Sequence, residues 1–183
     1  AYIRQHYQSH ALTIRLDANG AFNSRDALDK LHRLALYNIH SIEQPVQPGD
    51  GVLQQLCAQS PIPIALDESL IGIPSRDEKM RLLETLQPQF IILKPTLHGG
   101  MEGCDEWITL AEARGCGWWI TSALESNIGL NAICQFTANY SNKMHQGLGT
   151  GSLYVNNIVS PLVVADGHIH YSSKLGWAPL NTY

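Results

Sequence analysis

Apolar residues along the chain alternate between two patterns: short runs apolar at nearly every position, and longer stretches where they recur every three or four residues. The runs cover 12–17, 39–43, 62–67, 90–94, 118–123 and 145–148. They are rich in Ile, Leu and Val, the composition of parallel strands covered on both faces. Between them the spacing predicts helices. Asn23 or Ser24 caps one that presents Ala27, Leu28, Leu31, Leu34 and Ala35. Residues 51–59, 76–86, 102–114 and 126–140 repeat the pattern, and Gly115 is placed to end the fourth helix. Gly72-Ile73-Pro74-Ser75 reads as a plain loop. Strand and helix alternate six times, which predicts an α/β fold with a parallel sheet. Beyond Pro161 the pattern changes, and 162–171 predicts a hairpin turning at Asp166-Gly167.

Composition narrows the function classes. The 183 residues are 44% hydrophobic and 15% charged, enough to bury a sizeable core. A net charge of −4, with no Lys/Arg run, excludes a nucleic-acid footprint. No apolar run approaches the roughly 20 residues that span a bilayer, so no membrane partner is expected. Cys57, Cys104, Cys116 and Cys134 form no CxxC pair and read as buried thiols of a cytoplasmic protein. Without a secretory signal the sequon Asn139-Tyr140-Ser141 reads as chance. Trp118-Trp119 reads as core packing. His168 and His170 share a hairpin face but have no third ligand nearby, so they read as solvated.

The chemistry lies in where charged residues sit within the repeat. Asp17, Glu43, Asp67 and Lys94 each end one of the first four apolar runs, roughly 25 residues apart, close to one βα unit. In a closed βα barrel the C-terminal strand ends ring one mouth, where four such side chains converge. Any one Asp at a strand end reads as readily as a helix cap. Four in register are much harder to explain as caps. Three carboxylates repel one another, and a hard divalent cation relieves that repulsion. A lysine one strand on can hold or move a proton beside it.

These residues resemble a known family. Leu16-Asp17-Ala18-Asn19-Gly20-Ala21-Phe22, Ile42-Glu43-Gln44-Pro45, Ala65-Leu66-Asp67-Glu68-Ser69 and Leu93-Lys94-Pro95 are similar to the successive strand ends of the muconate-lactonising branch of the enolase superfamily. The resemblance covers about residues 1–171. It implies a TIM-type (β/α) barrel portion over 1–160, strands three to eight, followed by the hairpin and tail over 161–183. Asp17, Glu43 and Asp67 are then Mg²⁺ ligands, with Mn²⁺ a substitute, and Lys94 is the catalytic lysine. Asn19, Thr121, Ser122, Gly147 and Gly149 become substrate-binding positions. The amides of Gly147-Leu148-Gly149-Thr150-Gly151 can receive a substrate carboxylate, though a plain turn reads equally well.

Within that branch the segments 93–100, 121–129 and 147–154 look most like the o-succinylbenzoate synthase group, dehydratases of menaquinone biosynthesis. Epimerases of the branch carry Asp-x-Asp at the last strand, where this chain has Gly147-Leu148-Gly149. The resemblance therefore implies a small carboxylate substrate without an amine, and dehydration through an enediolate. N-acylamino-acid racemisation, dipeptide epimerisation and an inert scaffold are the rivals. It also implies a cap domain and two strands ahead of the Asp17 strand, the second bearing Lys-x-Lys. No match to these occurs in the 183 residues, with 1–9 reading as the tail of a helix. The chain alone is thus expected to lack dehydratase activity and to self-associate through open barrel edges.

Overall fold

A computed structural model describes residues 1–149 and 153–179. In chain order the elements are α1 (Tyr2–His6), β1 (Arg15–Asp17), α2 (Ala27–Ala35), β2 (Ser41–Glu43), α3 (Leu53–Gln59), β3 (Ile64–Leu66), α4 (Arg76–Leu86), β4 (Phe90–Leu93), α5 (Gly100–Glu112), β5 (Gly117–Ile120) and α6 (Asn127–Thr137). The hairpin β6 (Leu162–Ala165) and β7 (His168–Tyr171) closes the list. The sheet order is β1-β2-β3-β4-β5, each strand beside its predecessor in the chain. β1, β2, β3 and β4 pair in parallel, as the alternation predicts. Among the described residues no helix is long and apolar enough to cross a membrane.

Two compact units make up the described chain, Ala1–Ile92 with Asp105–Trp118, and Leu93–Cys104 with Trp119–Tyr183. In the first, Leu31, Leu56, Ile64, Leu66, Leu83, Ile91 and Trp107 are fully buried. Every residue of β3 is buried, which is why its sequence shows no polar alternation. Trp118 is packed as expected, its Nε1 donating to Glu112 Oε1 at 3.0 Å. Gly117, in the same unit, leaves room for Phe90, because a Cβ there would lie 2.6 Å from the Phe90 ring. That ring stacks on His40 at 5.1 Å between centroids. In the second unit, Ile120 of β5 and Leu130 and Ile133 of α6 are buried, and Trp119 has little exposure.

Three expectations need correction. α2 begins at Ala27 after Asp26, not after Asn23 or Ser24. Asn23 spends its Oδ1 on the Arg25 N–H at 2.9 Å, so the chain turns before it coils. The loop before α4 is more than a loop. Ser75 accepts the Glu78 N–H while the Glu78 carboxylate reaches back to the Ser75 N–H, a full capping box. The sixth expected strand, 145–148, is only a bridge between Thr121 and Gly147. The Ile120 N–H is taken by the Gln146 side chain at 2.7 Å instead of by a strand carbonyl, which cuts the ladder short. Gly115 ends α5 as expected, with φ +67, and the hairpin turns at Asp166 and Gly167, both at positive φ.

Candidate functional site

In the first unit, three carboxylates sit at neighbouring strand ends. Asp17 and Glu43 are register partners on β1 and β2, so they leave the sheet on the same face. Glu43 also pairs with Ala65, and Asp67 follows two residues later, which keeps that parity. Asp17 is exposed, Glu43 half-buried and Asp67 buried. The loops after β1 and β2 stay laced together beyond the strands. Ala18 N–H donates to Glu43 O at 3.0 Å, and Phe22 N–H to Pro45 O at 2.9 Å. Gly20 has φ +69, a conformation that favours glycine, and a Cβ on it would push aside the Gln47 amide at 2.7 Å. Asn19, itself at φ +45, is exposed within this turn.

The donor set suits a hard divalent cation, being three carboxylates with neither imidazole nor thiol among them. Their oxygens are nonetheless not gathered. Among the described residues no group of three or more His, Cys, Asp or Glu side chains is placed to hold a metal ion. Mutual repulsion favours such spreading, and Asp17 turns Oδ1 back to accept the Asn19 N–H at 2.9 Å. Below the acids, burial pushes the Arg15 guanidinium down from its ordinary pKa, while the Glu43 charge pulls it back up. Burial, and then Arg15, likewise hold the His40 imidazole below its usual value.

In the second unit, Lys94 stands just past β4, half-buried, at the head of a tight turn. Its carbonyl accepts from Leu97 N–H at 2.8 Å and His98 N–H at 3.1 Å. Its own N–H donates to Nδ1 of the buried His98 at 2.8 Å, which places the His98 ring proton on Nε2. After β5, Thr121 Oγ1 donates to Gly147 O at 2.9 Å. Gly147 has to be glycine, since a Cβ would meet Thr121 Oγ1 at 2.6 Å. Gly149 borders open space, and Thr150 and Gly151 of the expected anion loop lie outside the described residues.

The Ser122 hydroxyl donates to Glu125 and accepts the N–H groups of Leu124 and Glu125, at 2.9 and 3.2 Å. Glu125 also receives the Thr96 hydroxyl and the Ala123 N–H. Burial alone would raise the Glu125 pKa, but these bonds outweigh it and hold the carboxyl below its usual range. Leu124 between them has φ +67, and its carbonyl takes the Tyr154 hydroxyl at 2.6 Å.

Three of the four cysteines are poor nucleophiles. Burial raises the Cys57 and Cys116 thiols to about 12 and Cys134 to about 11, leaving almost no thiolate at neutral pH. Sequence reasoning missed two residues that organise the strand ends. His98 carried only a spacing signal, four residues after Lys94. Gln44 carried one as well, wedged between a strand-end acid and a proline.

Comparison with known proteins bears on both units. The model of a family described as enolase C-terminal domain-like matches residues 1–178. An o-succinylbenzoate synthase from Desulfotalea psychrophila is 51% identical over 91% of this chain and 45% of its own length. The crystal structure of MenC from that organism superposes with a TM-score of 0.89 at 50% identity, over 91% of this chain and 47% of the other. The L-Ala-D/L-Glu epimerase of Bacillus subtilis is 28% identical over 72% of this chain and 36% of its own length. The chain thus spans about half the length, or less, of the curated relatives it matches.

Proposed function

Since the chain belongs to the enolase C-terminal domain-like family, we propose that it forms the larger part of the barrel of a Mg²⁺-dependent dehydratase. The reaction is the one that makes o-succinylbenzoate in menaquinone biosynthesis. The observation that carries the reading is the register of Asp17 and Glu43, with Asp67 at the next strand end. The likeness to o-succinylbenzoate synthases supports the choice of substrate, a small carboxylate.

Asp17, Glu43 and Asp67 would hold the cation, Mg²⁺ or Mn²⁺. When bound, the cation supplies positive charge against the substrate carboxylate. Lys94 would supply positive charge against the charge that builds on the carboxylate oxygens as a proton passes from the neighbouring carbon to the base. The dehydration ends when the carbon–oxygen bond of the substrate hydroxyl breaks and the leaving oxygen takes up, by way of the base, the proton removed from the neighbouring carbon, so that one water is lost in all. His98 and the turn it closes hold the Lys94 backbone still while that charge develops. The Lys-x-Lys segment that carries the base in the resembling family has no match in the 183 residues, so the base is not assigned to this chain. In this reading Asn19 of the first unit, and Thr121, Gly147 and Gly149 of the second, are substrate-binding positions. Ser122 joins the second set through the turn it locks. A cytosolic setting goes with it, since all four cysteines stand as free thiols.

Epimerisation is the second reading, favoured by the likeness to the Bacillus subtilis epimerase. Gly147-Leu148-Gly149 weighs against it, having no acid to neutralise a substrate ammonium. Epimerisation assays with an Ala-Glu dipeptide separate the two, and racemisation assays with N-succinylamino acids test the related racemase reading. The metal site itself is tested by calorimetric titration with Mg²⁺ and Mn²⁺. Asp67→Asn, which keeps size and removes charge, is expected to weaken binding by about tenfold or more. Unchanged affinity would remove Asp67 from the site.

A further inference from the structure

Gln44 follows Glu43 directly, is completely buried, and has φ +35, a region that residues with side chains seldom occupy. Backbone strain of this kind persists only where the surroundings impose it. Glycine would relieve it, yet a long polar side chain occupies the position, and each of its polar atoms is used. Nε2 donates to Val46 O at 2.9 Å and to Ser69 Oγ at 2.8 Å. Oε1 accepts the Asp67 N–H at 3.3 Å and the Ser69 N–H at 3.1 Å. The backbone is equally committed, with its N–H donating to Ala65 O at 2.9 Å and its carbonyl accepting the Gly20 N–H at 2.6 Å.

We infer that Gln44 is a positioning residue for the cation site, fixing the spacing of all three carboxylate-bearing strand ends from one buried point. Resting on the proposed cation site, it adds a residue that touches no cation. Through Gly20 it holds the turn after Asp17. By direct linkage it holds Glu43. Through the amides of Asp67 and Ser69 it holds the chain where Asp67 leaves β3. No other uncharged side chain of this length offers two donors and two acceptor sites. Asparagine is shorter by a methylene, glutamate loses the donors, and methionine leaves two buried N–H groups unmet.

A glutamine that braces a strand can also serve stability alone, and Gln89, more exposed than Gln44, provides the control. Its Oε1 accepts the Ile64 N–H at 2.9 Å and its Nε2 donates to Cys57 O at 3.0 Å, bracing the opposite end of β3, away from the acids. The test is Mn²⁺ titration of the 183-residue chain by electron paramagnetic resonance, with amide hydrogen exchange measured on the metal-free protein. Gln44→Met is expected to raise the Mn²⁺ Kd about 10- to 100-fold, as loss of a partner behind a ligand commonly does. It should also speed exchange at Asp67 and Ser69. Gln89→Met should speed exchange at Ile64 and leave Mn²⁺ affinity within about twofold of the parent.

Equal affinity in Gln44→Met and the parent overturns the inference, as does an equal loss in Gln89→Met. Should Gln44→Met fail to fold, Ser69→Ala removes one bond of the four. A smaller loss of affinity supports the inference there, and none overturns it. A parent chain that binds no Mn²⁺ removes the cation site and this inference together. That outcome differs from a parent that binds and variants that bind equally well.

Discussion

Glu125 shows at the scale of a single residue how a carboxylate becomes a structural fastener. Two hydroxyls and an N–H address its oxygens, and they favour the ionised form although burial opposes it. A carboxyl whose pKa is lowered on folding contributes stability above its unfolded value, near 4.5, and loses it as pH falls through the folded value. The urea midpoint of the parent should therefore drop below about pH 4.5 more steeply than that of Glu125→Gln, the two curves converging in acid. Parallel curves would mean the bonds carry no linkage. At this scale the sequence told unevenly. The positions of Asp17, Glu43, Asp67 and Lys94 at strand ends could be read, because a strand end is marked by local pattern. The duties of Gln44 and His98 could not: the Gln44 side chain reaches Asp67 and Ser69 on another loop, and the bond of His98 to the Lys94 N–H, though only four residues away, exists only once the turn has formed.

Elements were legible in kind and order but not in length. Every run expected as a strand from 12 to 123 overlaps one, yet each strand is shorter than its run, because the runs extend into positions that no longer pair, and β5 begins one residue ahead of its run, at Gly117. Helix starts depend on single side-chain bonds that composition does not reveal. Asn23 and Asp50 both turn the chain before their helices by accepting an N–H two residues on. Ser75, read as loop, starts its helix with a complete capping box. Ser75→Ala removes the acceptor for the Glu78 N–H, and should cost about 1 kcal/mol, visible as a lower urea midpoint with unchanged slope. Ser75→Gly should cost only a few tenths as much. A neutral Ser75→Ala would show that α4 is held by packing alone. The last expected strand failed for a reason of the same type, a side-chain amide competing for a backbone N–H at Ile120.

For the molecule as a whole, the first unit has surface that calls for company. α1 buries none of its residues, and Tyr2, Ile3 and Tyr7 are exposed. Five residues are too few to hold a helix by propensity. Arg4 anchors this one through the carbonyls of Leu12, Tyr37 and Asn38, at 2.6, 2.8 and 2.8 Å. Beside it, β1 has a strand neighbour on one side only among the described residues, and such an edge invites another chain. The chain is expected to self-associate reversibly. Sedimentation equilibrium across a range of loading concentrations should then give an apparent mass that rises with concentration. A constant monomer mass would show that the edge is covered locally.

The close fit of Gly117 against Phe90 has a consequence for the history of the chain. The ring cannot simply swing aside, because His40 stacks on it, and a methyl group at 117 has nowhere to go. Lineages descended from this sequence can therefore gain a side chain at 117 only after 90 has become smaller. The reverse order passes through an ancestor that folds poorly. Two positions distant in the gene are thus bound to change in a fixed succession, and relatives that carry alanine at 117 should carry a smaller residue at 90.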